Sequence, residues 1–563
     1  MSYSDMQKPS RRTLLRAPFA AAGAGLLAAC SDSGSEPSSG PQHTAGTAAF
    51  VPQGPRGFVN PSDPEVLAAE RKRGSGPVRM IRFTAARSML DLGGRSVHSW
   101  AYNESVPGPL VRVTAGDVLS LTLSNQLPEK TTLHAHGVRL RCDMDGVPDL
   151  TQSPIAPGTD FIYRFVASHP GTYLLHSHVG MQPDRALYAP FVVDDPKEPL
   201  SYDQEWIVVL DDWVDDIDGS NPEQVLDQLK PGGSMDMDMG MGMGPGRSSP
   251  SAHGSAHPSV HPSAHPSAHA SPSPSKSRSK KPTGPDRVLR NSHSSMLHGE
   301  GGNVAYPHYL ANGRLRTDPS VFRCRPGDRI RIRIINAGSE TAFRVALGGH
   351  ALTVTHTDGY PVQHKRTDAL LVGMAERYDV LVTAKDGVFP LVALAEGKKG
   401  KAVAILRTDK GRNLPAPDVR PAELDREIVP ARRLVPAESV ALDDRHPDRD
   451  LRIRITGTMQ KYDWGFDHKL YDVRERHAVR AGERVRLTLI NATDMWHPMH
   501  LHGHTFAVDG ISSAGARKDT TIVLPHRKLV LDFDADNPGL WMLHCHNQYH
   551  SESGMMTVLG YKK

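Results

Sequence analysis

The chain has 563 residues, which is too long for one hydrophobic core and predicts several domains. It contains 50 glycines, 45 prolines and few aromatic residues, a composition that favours many short strands and turns over helical bundles. The formal net charge is +4 and residues 1–29 carry +3 of it, so the nearly neutral remainder gives no reason to expect nucleic acid as a partner.

The first thirty residues have the pattern of an export signal. The segment SRRTLLR at 10–16 places two adjacent arginines before the run APFAAAGAGLLAAC, which is too short and too rich in Ala and Gly to span a membrane stably. The arginine pair resembles a twin-arginine signal, and LAAC at 27–30 resembles a lipobox. The sequence therefore predicts a signal peptide over 1–29, a lipidated Cys30, a flexible tether over 30–78, and a lipoprotein on the outer face of a bacterial cytoplasmic membrane.

One strand pattern occurs three times along the chain. AGDVLSLTLSN (115–125), PGDRIRIRIIN (326–336) and AGERVRLTLIN (481–491) each begin at a turn glycine and continue with alternating apolar residues that end in Asn. Period-two alternation after a glycine turn is typical of a half-buried strand. Repetition on this scale predicts three similar β domains in succession.

The expected domain boundaries follow from these repeats. The first domain is predicted over 79–200 and the second over 201–410. The second domain includes a Met/His/Ser/Pro-rich insert at about 231–300, which is expected to be disordered because such a composition cannot form a packed element. A linker at 411–430 and a third domain over 431–563 complete the chain.

Four His-x-His pairs lie at matched positions in the first and third domains. The first pair of each domain falls at the same offsets from Gly116 and Gly482, and the second pairs end two matching segments, GTYLLHSH (171–178) and GLWMLHCH (539–546). In a strand, residues i and i+2 face the same side, so each pair presents two imidazoles together. Eight imidazoles can therefore converge between these two domains. They are His134, His136, His176, His178, His500, His502, His544 and His546.

The middle domain has apolar residues at the corresponding positions. These are Val345, Leu347, Val392 and Leu394. The middle domain is therefore expected to act as a spacer and cover, without ligands of its own.

Cys545 separates two of the histidines and must point to the opposite face of its strand. On that face it can meet His497, His550 and Met555. Two imidazoles, one thiolate and a weak axial thioether are the ligands of a blue-copper electron-transfer site. Structural zinc prefers four firm ligands, usually with more than one Cys, which favours copper over zinc. Electrons would then have a covalent path from Cys545 to the histidines on either side of it.

The motifs HAHG, HSH, HPMHLHGH and HCHNQYHSESGM resemble the four copper-binding motifs of three-domain multicopper oxidases, the family of laccases, cuprous oxidases and bacterial copper-resistance oxidases. The resemblance covers roughly residues 79–563 apart from the insert. It implies an all-β chain of three consecutive cupredoxin-like Greek-key β-sandwich domains. One departure is Ala135, where the family usually has Trp between the first two histidines, and it removes no ligand.

By this resemblance the chain would bind four copper ions, one of type 1, one of type 2 and a type 3 pair. The implied type 2 ligands are His134 and His500. The implied type 3 ligands are His136, His176, His178, His502, His544 and His546. The implied type 1 ligands are His497, Cys545, His550 and Met555.

The reaction implied by the resemblance couples four one-electron oxidations of substrate at type 1 copper to the reduction of dioxygen to two waters at the other three coppers. That reduction consumes four protons, so carboxylates near the copper cluster are expected to relay them. Asp145, in CDMDGVPD, lies where the family has an acid after its first motif, and Glu552 resembles the Glu of HxEAGM-type motifs. The alternative for each is a solvated loop acid.

Other functions fit the sequence less well. A copper nitrite reductase resembles two domains and lacks the eight cluster histidines, and an electron carrier needs only the type 1 site. A metal-free binding protein of this fold should have lost ligands, and a zinc hydrolase leaves the spacing of Cys545, His550 and Met555 unexplained. The sequence therefore predicts a monomeric oxidase whose reductant is Cu(I), phenols and aromatic amines, or both.

The insert carries soft copper ligands. Its segment SMDMDMGMGMG (234–244) has Met at every second position, and HGSAHPSVHPSAHPSAHAS follows with histidines four apart. Thioether sulfur selects Cu(I), and imidazole accepts both copper states. We expect an auxiliary Cu(I)-binding arm that serves copper tolerance, and the alternative is a general laccase for phenolic substrates with an inert insert. The methionines are Met235, Met237, Met239, Met241 and Met243.

Cys142 and Cys324 are the remaining cysteines. Leftover thiols outside the cytoplasm often pair, and laccases of the resembling family can carry a disulfide between their first two domains. A Cys142–Cys324 disulfide and two independent thiols are therefore both compatible with the sequence.

Overall fold

The computed structural model describes residues 50, 52, 54–231, 284–409, 413–508 and 515–563. The predicted signal peptide, the lipidation site Cys30 and the Met- and His-rich stretch from Met235 to His269 lie outside these residues. The predicted flexible tether over 30–78 is too long, because its described part contains a helix at Pro64–Lys72 and buries Val59 and Val66. No helix within the described ranges is long and apolar enough to cross a membrane.

The first domain is a sandwich of two four-stranded sheets. Its elements are α1 (Pro64–Lys72), β1 (Val78–Asp91), β2 (Ser96–Tyr102), β3 (Val111–Thr114), β4 (Val118–Asn125), β5 (His134–His136), β6 (Asp160–Val166), β7 (Gly171–His176) and β8 (Tyr188–Asp194). The strand orders are β2-β1-β4-β6 and β3-β8-β7-β5. Apolar residues of both sheets pack between them and exclude water from the core.

The middle domain is a larger sandwich of seven and five strands. Its elements are β9 (Gln204–Trp213), α2 (Pro222–Leu229), β10 (His308–Ala311), β11 (Arg314–Leu315), β12 (Val321–Arg323), β13 (Arg329–Asn336), β14 (Phe343–Leu347), β15 (Leu352–Thr357), β16 (Tyr360–Thr367), β17 (Leu370–Val372), β18 (Arg377–Thr383), β19 (Val388–Ala395) and β20 (Lys401–Arg407). The strand orders are β11-β10-β9-β13-β18-β15-β16 and β12-β20-β19-β14-β17.

The third domain is a sandwich of six and five strands. Its elements are β21 (Arg449–Thr456), β22 (Gly465–Phe466), β23 (His477–Val479), β24 (Arg484–Asn491), β25 (His497–Leu501), β26 (Phe506–Val508), β27 (Arg517–Lys518), β28 (Thr520–Val523), β29 (Lys528–Asp534), β30 (Leu540–Cys545), α3 (Gln548–Ser551) and β31 (Met556–Tyr561). The strand orders are β22-β21-β24-β29-β26-β27 and β23-β31-β30-β25-β28. The predicted all-β, three-sandwich architecture is confirmed.

The three repeated sequence patterns form equivalent strands. Each of β4, β13 and β24 follows a turn glycine in the left-handed region, with φ of 95° at Gly116, 91° at Gly327 and 88° at Gly482. Each also pairs in parallel with an earlier strand, namely β1, β9 and β21. The terminal asparagines serve one purpose, because each side-chain amide donates to a backbone carbonyl of the loop that follows. These asparagines are Asn125, Asn336 and Asn491.

The insert is shorter than the sequence indicated. The predicted disordered segment includes residues 284–300, but these residues are ordered: Ser294 forms a bridge to Gly299, and its hydroxyl donates to Glu396 of the middle domain at 2.6 Å. Leu297 is completely buried. The low-complexity composition ends near residue 284, and the apolar side chains that follow are sufficient to anchor the chain.

The linker before the third domain is longer than expected. The predicted linker spans 411–430, whereas the first strand of the third domain begins at Arg449. The described residues between them run along the middle domain, where Ile428 bridges Ala369 and Pro436 bridges Val362. Proline and short 3-10 turns keep this segment out of either sheet.

Cys142 and Cys324 are free thiols. The sulfur of Cys142 is completely buried, where it donates to the carbonyl oxygen of Leu540 and accepts from the amide of the same residue, both at 3.2 Å. Its side chain therefore faces β30 of the third domain and not the middle domain. Of the two alternatives left by the sequence, the structure has independent thiols, and the disulfide is wrong.

Candidate metal centre

The His-x-His pairs lie on two antiparallel strand pairs. In the first domain β5 pairs with β7, so that His134 lies opposite His176. In the third domain β25 pairs with β30, and His500 lies opposite His544. The remaining histidines are the neighbours two residues further along the chain. The strand pairing thus gathers four imidazoles on one face of each domain.

These two faces meet, and their imidazoles interleave. The ring centroids of His134 and His502 are 4.0 Å apart, and those of His136 and His500 are 3.7 Å apart. All eight predicted histidines are brought together between the first and third domains, and we refer to them as the histidine cluster.

The donor nitrogens of the histidine cluster divide into two trios and one pair. Within each trio one nitrogen of each residue lies within 4.8 Å of the others. The trios are His136, His176 and His546, and His178, His502 and His544. The remaining pair is His134 and His500. One nitrogen of each lies within 4.8 Å of a nitrogen of His136. This division is the one that the resemblance implies for a type 3 copper pair and one type 2 copper.

Each imidazole of the cluster has one buried nitrogen without a hydrogen-bond partner in the described part of the chain. The unpaired atom is Nδ1 in His136 and Nε2 in the other seven residues. A buried polar atom without a partner costs about 1–3 kcal/mol, so eight of them facing one space require a ligand. Imidazole nitrogen suits copper, and the residues present therefore fit a copper cluster.

The second nitrogen of the cluster histidines is held by oxygen acceptors. Nδ1 of His134 donates to the Asp145 carbonyl at 2.7 Å, and Nδ1 of His500 donates to the Asp519 carbonyl at 2.8 Å. Nδ1 of His502 donates to the Asp145 carboxylate at 2.8 Å. These bonds place the proton on Nδ1, so the lone pair of Nε2 is available to a metal.

The predicted type 1 ligands come together on the opposite face of β30. The Cys545 Sγ atom is 3.7 Å from His497 Nδ1 and 3.9 Å from His550 Nδ1, and the two nitrogens are 3.2 Å apart. Met555 is completely buried, and its backbone bonds to both Cys545 and His550. Burial raises the pKa of the Cys545 thiol, so a thiolate here requires a bound cation.

Aromatic side chains cover the type 1 site. The Trp464 ring lies 4.4 Å from the His550 ring between centroids, and the Tyr462 ring lies 6.2 Å from it. All three residues are buried, and His550 Nε2 has no partner in the described residues. The edge of His550 is therefore closed to a bulky molecule in this conformation.

The middle domain contributes no ligand position. Val345, Leu347 and Val392 are completely buried, and they pack into the hydrophobic cores of the middle domain. Among the described residues, no grouping of metal-binding side chains includes a member from 201–410.

The two predicted relay carboxylates lie in different surroundings. Asp145 is completely buried between His134 and His502. Its Oδ1 atom accepts no hydrogen bond from the described residues, although it lies 3.3 Å from His134 Nδ1. Glu552 instead accepts from the Gln548 side chain at 3.3 Å. Burial raises the pKa of Glu552 to about 7, although the nearby Lys230 lowers it in part. The structure thus places Asp145 in contact with the cluster histidines. Glu552 is further away: the residue before it, Ser551, has its hydroxyl 3.5 Å from His544 Nδ1.

Sequence reasoning missed a third carboxylate beside the cluster. Asp519 Oδ1 lies 3.0 Å from His136 Nε2, and the Thr520 hydroxyl lies at the same distance. The segment KDTT (518–521) leads into β28, which pairs with β25. These four polar residues are all buried, and a run of buried polar side chains would have indicated a functional site. Burial is not visible in the sequence, so the sequence did not reveal it.

Burial keeps the cluster histidines neutral. It lowers the pKa of His176 to about 3, and repulsion from His134 adds to this effect. Burial likewise lowers the pKa of His178 and His546, with neighbouring imidazoles again adding to it. Neutral imidazole is the state that binds metal, so the site is ready for copper across the neutral pH range.

Comparison with known proteins agrees with the geometry. Three family models, each described as multicopper oxidase, match residues 85–198, 263–411 and 444–563. The multicopper oxidase MmcO of Mycobacterium tuberculosis is 44% identical over 88% of this chain and 89% of its own length. A copper resistance protein A homolog of Pseudomonas syringae pv. tomato is 26% identical over 88% of this chain and 93% of its own length.

Solved structures share the fold. The multicopper oxidase Fet3p superposes with a TM-score of 0.66 at 21% identity, covering 86% of this chain and 90% of that chain. A laccase from Botrytis aclada superposes with a TM-score of 0.64 at 23% identity, covering 86% and 88%.

The fold and the two groups of ligands define a copper oxidoreductase built from three cupredoxin-like domains. The chain belongs to the multicopper oxidase family.

The lowered histidine pKa values predict acid sensitivity of the copper-free protein. Below about pH 6.5 the unfolded chain binds protons that the folded cluster does not bind. The free energy of unfolding therefore decreases as the pH is lowered. Replacement of His176 by Gln removes one such group, and the pH slope should become shallower by up to about 1.4 kcal/mol per pH unit. Urea unfolding of the copper-free protein between pH 7.5 and 4.5 measures this slope.

The matched control for this measurement is His446→Gln, which alters an exposed histidine far along the chain from the cluster motifs. It should keep the slope of the parent protein. Equal slopes for His176→Gln and the parent would contradict the account.

Proposed function

We propose that this chain couples four one-electron oxidations of a reductant to the reduction of dioxygen to two waters. The observation that carries the proposal is β30, which presents Cys545 to the type 1 site on one face and His544 to the histidine cluster on the other. The peptide bonds between them form a short covalent path for electrons. A single-site electron carrier or a hydrolase would not use this arrangement.

The proposed cofactor is four copper ions. His497, Cys545, His550 and Met555 would hold the type 1 copper, the trios of the histidine cluster would hold the type 3 pair, and His134 with His500 would hold type 2 copper. When bound, copper would supply one-electron redox chemistry at the first site and dioxygen reduction at the second. Water exclusion around His550 by Trp464 would protect the thiolate ligand.

Asp145 is proposed to supply protons to the cluster. Its Oδ2 atom bonds to His502, and its Oδ1 atom, 3.3 Å from His134 Nδ1, accepts no hydrogen bond from the described residues. We propose that Oδ1 exchanges protons beside the reacting space. Glu552, with a pKa of about 7, is proposed to pass protons inward from the side of Lys230. Ser551 directly precedes Glu552 in the chain, and its hydroxyl lies 3.5 Å from His544 Nδ1 of the cluster.

The closed type 1 site favours Cu(I) over phenols as the reductant. Trp464 and Tyr462 bury His550, so an aromatic molecule must displace them, whereas a single ion needs no cavity of that size. Met459, three residues before Tyr462 in the chain, is partly buried and offers a soft sulfur. Relatives named as copper resistance proteins support a role in copper tolerance. A laccase activity on phenols and aromatic amines is the alternative.

The Met- and His-rich arm is proposed to gather Cu(I) for this site. The described residues that flank the arm on either side lie beside α2, because Gln228 bonds to Pro285 and Arg287 where the described chain resumes. Lys230 follows α2 just before the arm begins, and it lies close enough to Glu552 to lower the pKa of that carboxyl. Glu552 directly follows α3, which carries His550. An arm that starts next to α3 can deliver ions to the type 1 site.

The proposed location follows from the N-terminal sequence alone. A twin-arginine signal over residues 1–29 and lipidation of Cys30 would place a monomeric enzyme on the outer face of the cytoplasmic membrane.

Replacement of Cys545 by Ser should abolish the blue absorption and the oxidation of all reductants, because Ser cannot supply the thiolate ligand. The histidine cluster should remain metallated, and the domains should stay folded. Visible absorption, copper content and circular dichroism measure the three outcomes. Cys324→Ser is the matched control and should stay blue and active, whereas a blue Cys545→Ser protein would contradict the type 1 assignment.

Deletion of residues 234–270 should weaken the oxidation of Cu(I) at low concentration by several-fold and spare the oxidation of phenols and diamines. Initial rates with each substrate measure this difference. A length-matched control replaces the five methionines from Met235 to Met243 with Leu, and it should reproduce much of the defect if thioether binding is the cause. Equal losses for all substrates, or no loss for any, would show that the arm does not serve copper delivery.

A further inference from the structure

One member of the histidine cluster is oriented differently from the other seven. His136 has its unpaired nitrogen at Nδ1, while the others have it at Nε2. The Nε2 atom of His136 instead lies 3.0 Å from Asp519 Oδ1 and 3.0 Å from the Thr520 hydroxyl. Because the carboxylate can only accept, the proton of this imidazole lies on Nε2 and the lone pair lies on Nδ1.

Asp519 is itself held by a residue of the middle domain. Arg377, the first residue of β18, donates from Nη1 to Asp519 Oδ1 at 2.8 Å and from Nη2 to Asp519 Oδ2. Its Nε donates to the carbonyl of Thr172 in the first domain at 3.1 Å. Arg377 and Asp519 are both completely inaccessible to solvent. One guanidinium therefore joins all three domains at the edge of the histidine cluster.

The backbone at Asp519 is fixed from the same side. Asp358 of the middle domain accepts from the amides of Asp519 at 3.1 Å and Thr520 at 3.2 Å, and its other oxygen accepts from the amide of Arg377 at 2.9 Å. Lys518 balances Asp358 at 3.0 Å. These bonds hold both the main chain and the side chain of Asp519 in place.

Space around His136 is equally restricted. A Cβ atom on the following residue, Gly137, would lie 2.4 Å from both Arg377 Nη2 and Asp519 Oδ2. Gly137 also has a φ of 83°, a conformation that favours glycine. The arginine–aspartate pair is therefore packed directly against the strand end that carries His136.

We propose that Arg377 is a positioning residue for the histidine cluster, which acts through Asp519 to set the His136 tautomer that turns Nδ1 toward the metal. The middle domain, which has no ligand of its own, thereby takes part in building the copper site. The inference rests on the proposed copper cluster, but the tautomer is a property of the copper-free protein and can be tested separately.

The geometry explains why an arginine is used. A guanidinium donates to both carboxylate oxygens in a fixed plane, whereas an ammonium is a point charge that leaves the carboxylate free to rotate. Arg377→Lys keeps the buried charge and removes only the planar fork. It is therefore the variant that separates positioning from charge compensation.

Arg331→Lys is the matched control. Arg331 is also an arginine of the middle domain with 2% exposure, and it makes two bonds to Asp379 and one to Glu198. None of its described bonds reaches the histidine cluster. Both variants replace a buried guanidinium that makes several bonds to buried carboxylates, although Arg331 bonds only one oxygen of Asp379. A general loss of stability should therefore appear in both.

The test uses two measurements on the full chain. Nitrogen NMR of the copper-free protein with labelled histidine reports tautomers, and His136→Gln assigns the signal. The parent should show one cluster histidine protonated at Nε2, and Arg377→Lys should show that residue as a mixture, while Arg331→Lys should match the parent. Copper titration should show affinity at the cluster reduced about 10–100-fold in Arg377→Lys alone, with the blue type 1 band unchanged.

A parent-like tautomer and parent-like cluster affinity in Arg377→Lys would overturn the proposal, as would identical losses in Arg331→Lys. Should Arg377→Lys not fold, Arg377→Gln, whose single amide cannot donate to both oxygens of Asp519, is measured in the same way; an unchanged His136 tautomer there would likewise overturn the proposal. If the parent protein bound no copper, the proposed function would fail, while the tautomer measurement would still decide the role of Arg377.

Discussion

Eight buried imidazole nitrogens that have no hydrogen-bond partner among the described residues are the constraint on which this structure depends. Each would cost about 1–3 kcal/mol if it stayed unpaired, and a protein has only about 5–15 kcal/mol of net stability. They lie between the first and third domains, so unpaired nitrogens would lower the stability of the contact between these two domains. A bound copper cluster would offset this cost, so copper binding would strengthen the association of the two domains. The second nitrogen of each ring is held by fixed oxygens, so the free nitrogens already point inward before any metal arrives.

The alternation of side chains along a β-strand let the sequence predict most of this site. Period-two spacing placed His544 and His546 on one face and Cys545 on the other, and the structure brings each to its expected partners. The match between HAHG and HLHG, and the apolar residues at Val345 and Leu347, located the site between the terminal domains. The three Gly-turn strands likewise predicted three sandwiches, because glycine at positive φ and a terminal Asn are local requirements of that turn.

Features that depend on distant packing were not visible in the sequence. Asp519 and Arg377 lie 142 positions apart and follow no pattern that indicates their contact. The direction of Cys142 depends on how β30 packs, and so the sequence left the disulfide open. The ordered return of the insert at residues 284–300 depends on the surface that receives Leu297. The burial of His550 under Trp464, which bears on the choice of reductant, also arises from a loop whose path is set by tertiary contacts.

The most direct test of the account is the position of copper in crystals of the loaded protein, measured by anomalous diffraction on both sides of the copper absorption edge. The account predicts one peak beside Cys545 and three peaks within the histidine cluster, between the two trios and the His134–His500 pair. Density beside Cys545 with none among the eight histidines, or copper bound within the middle domain, would contradict it.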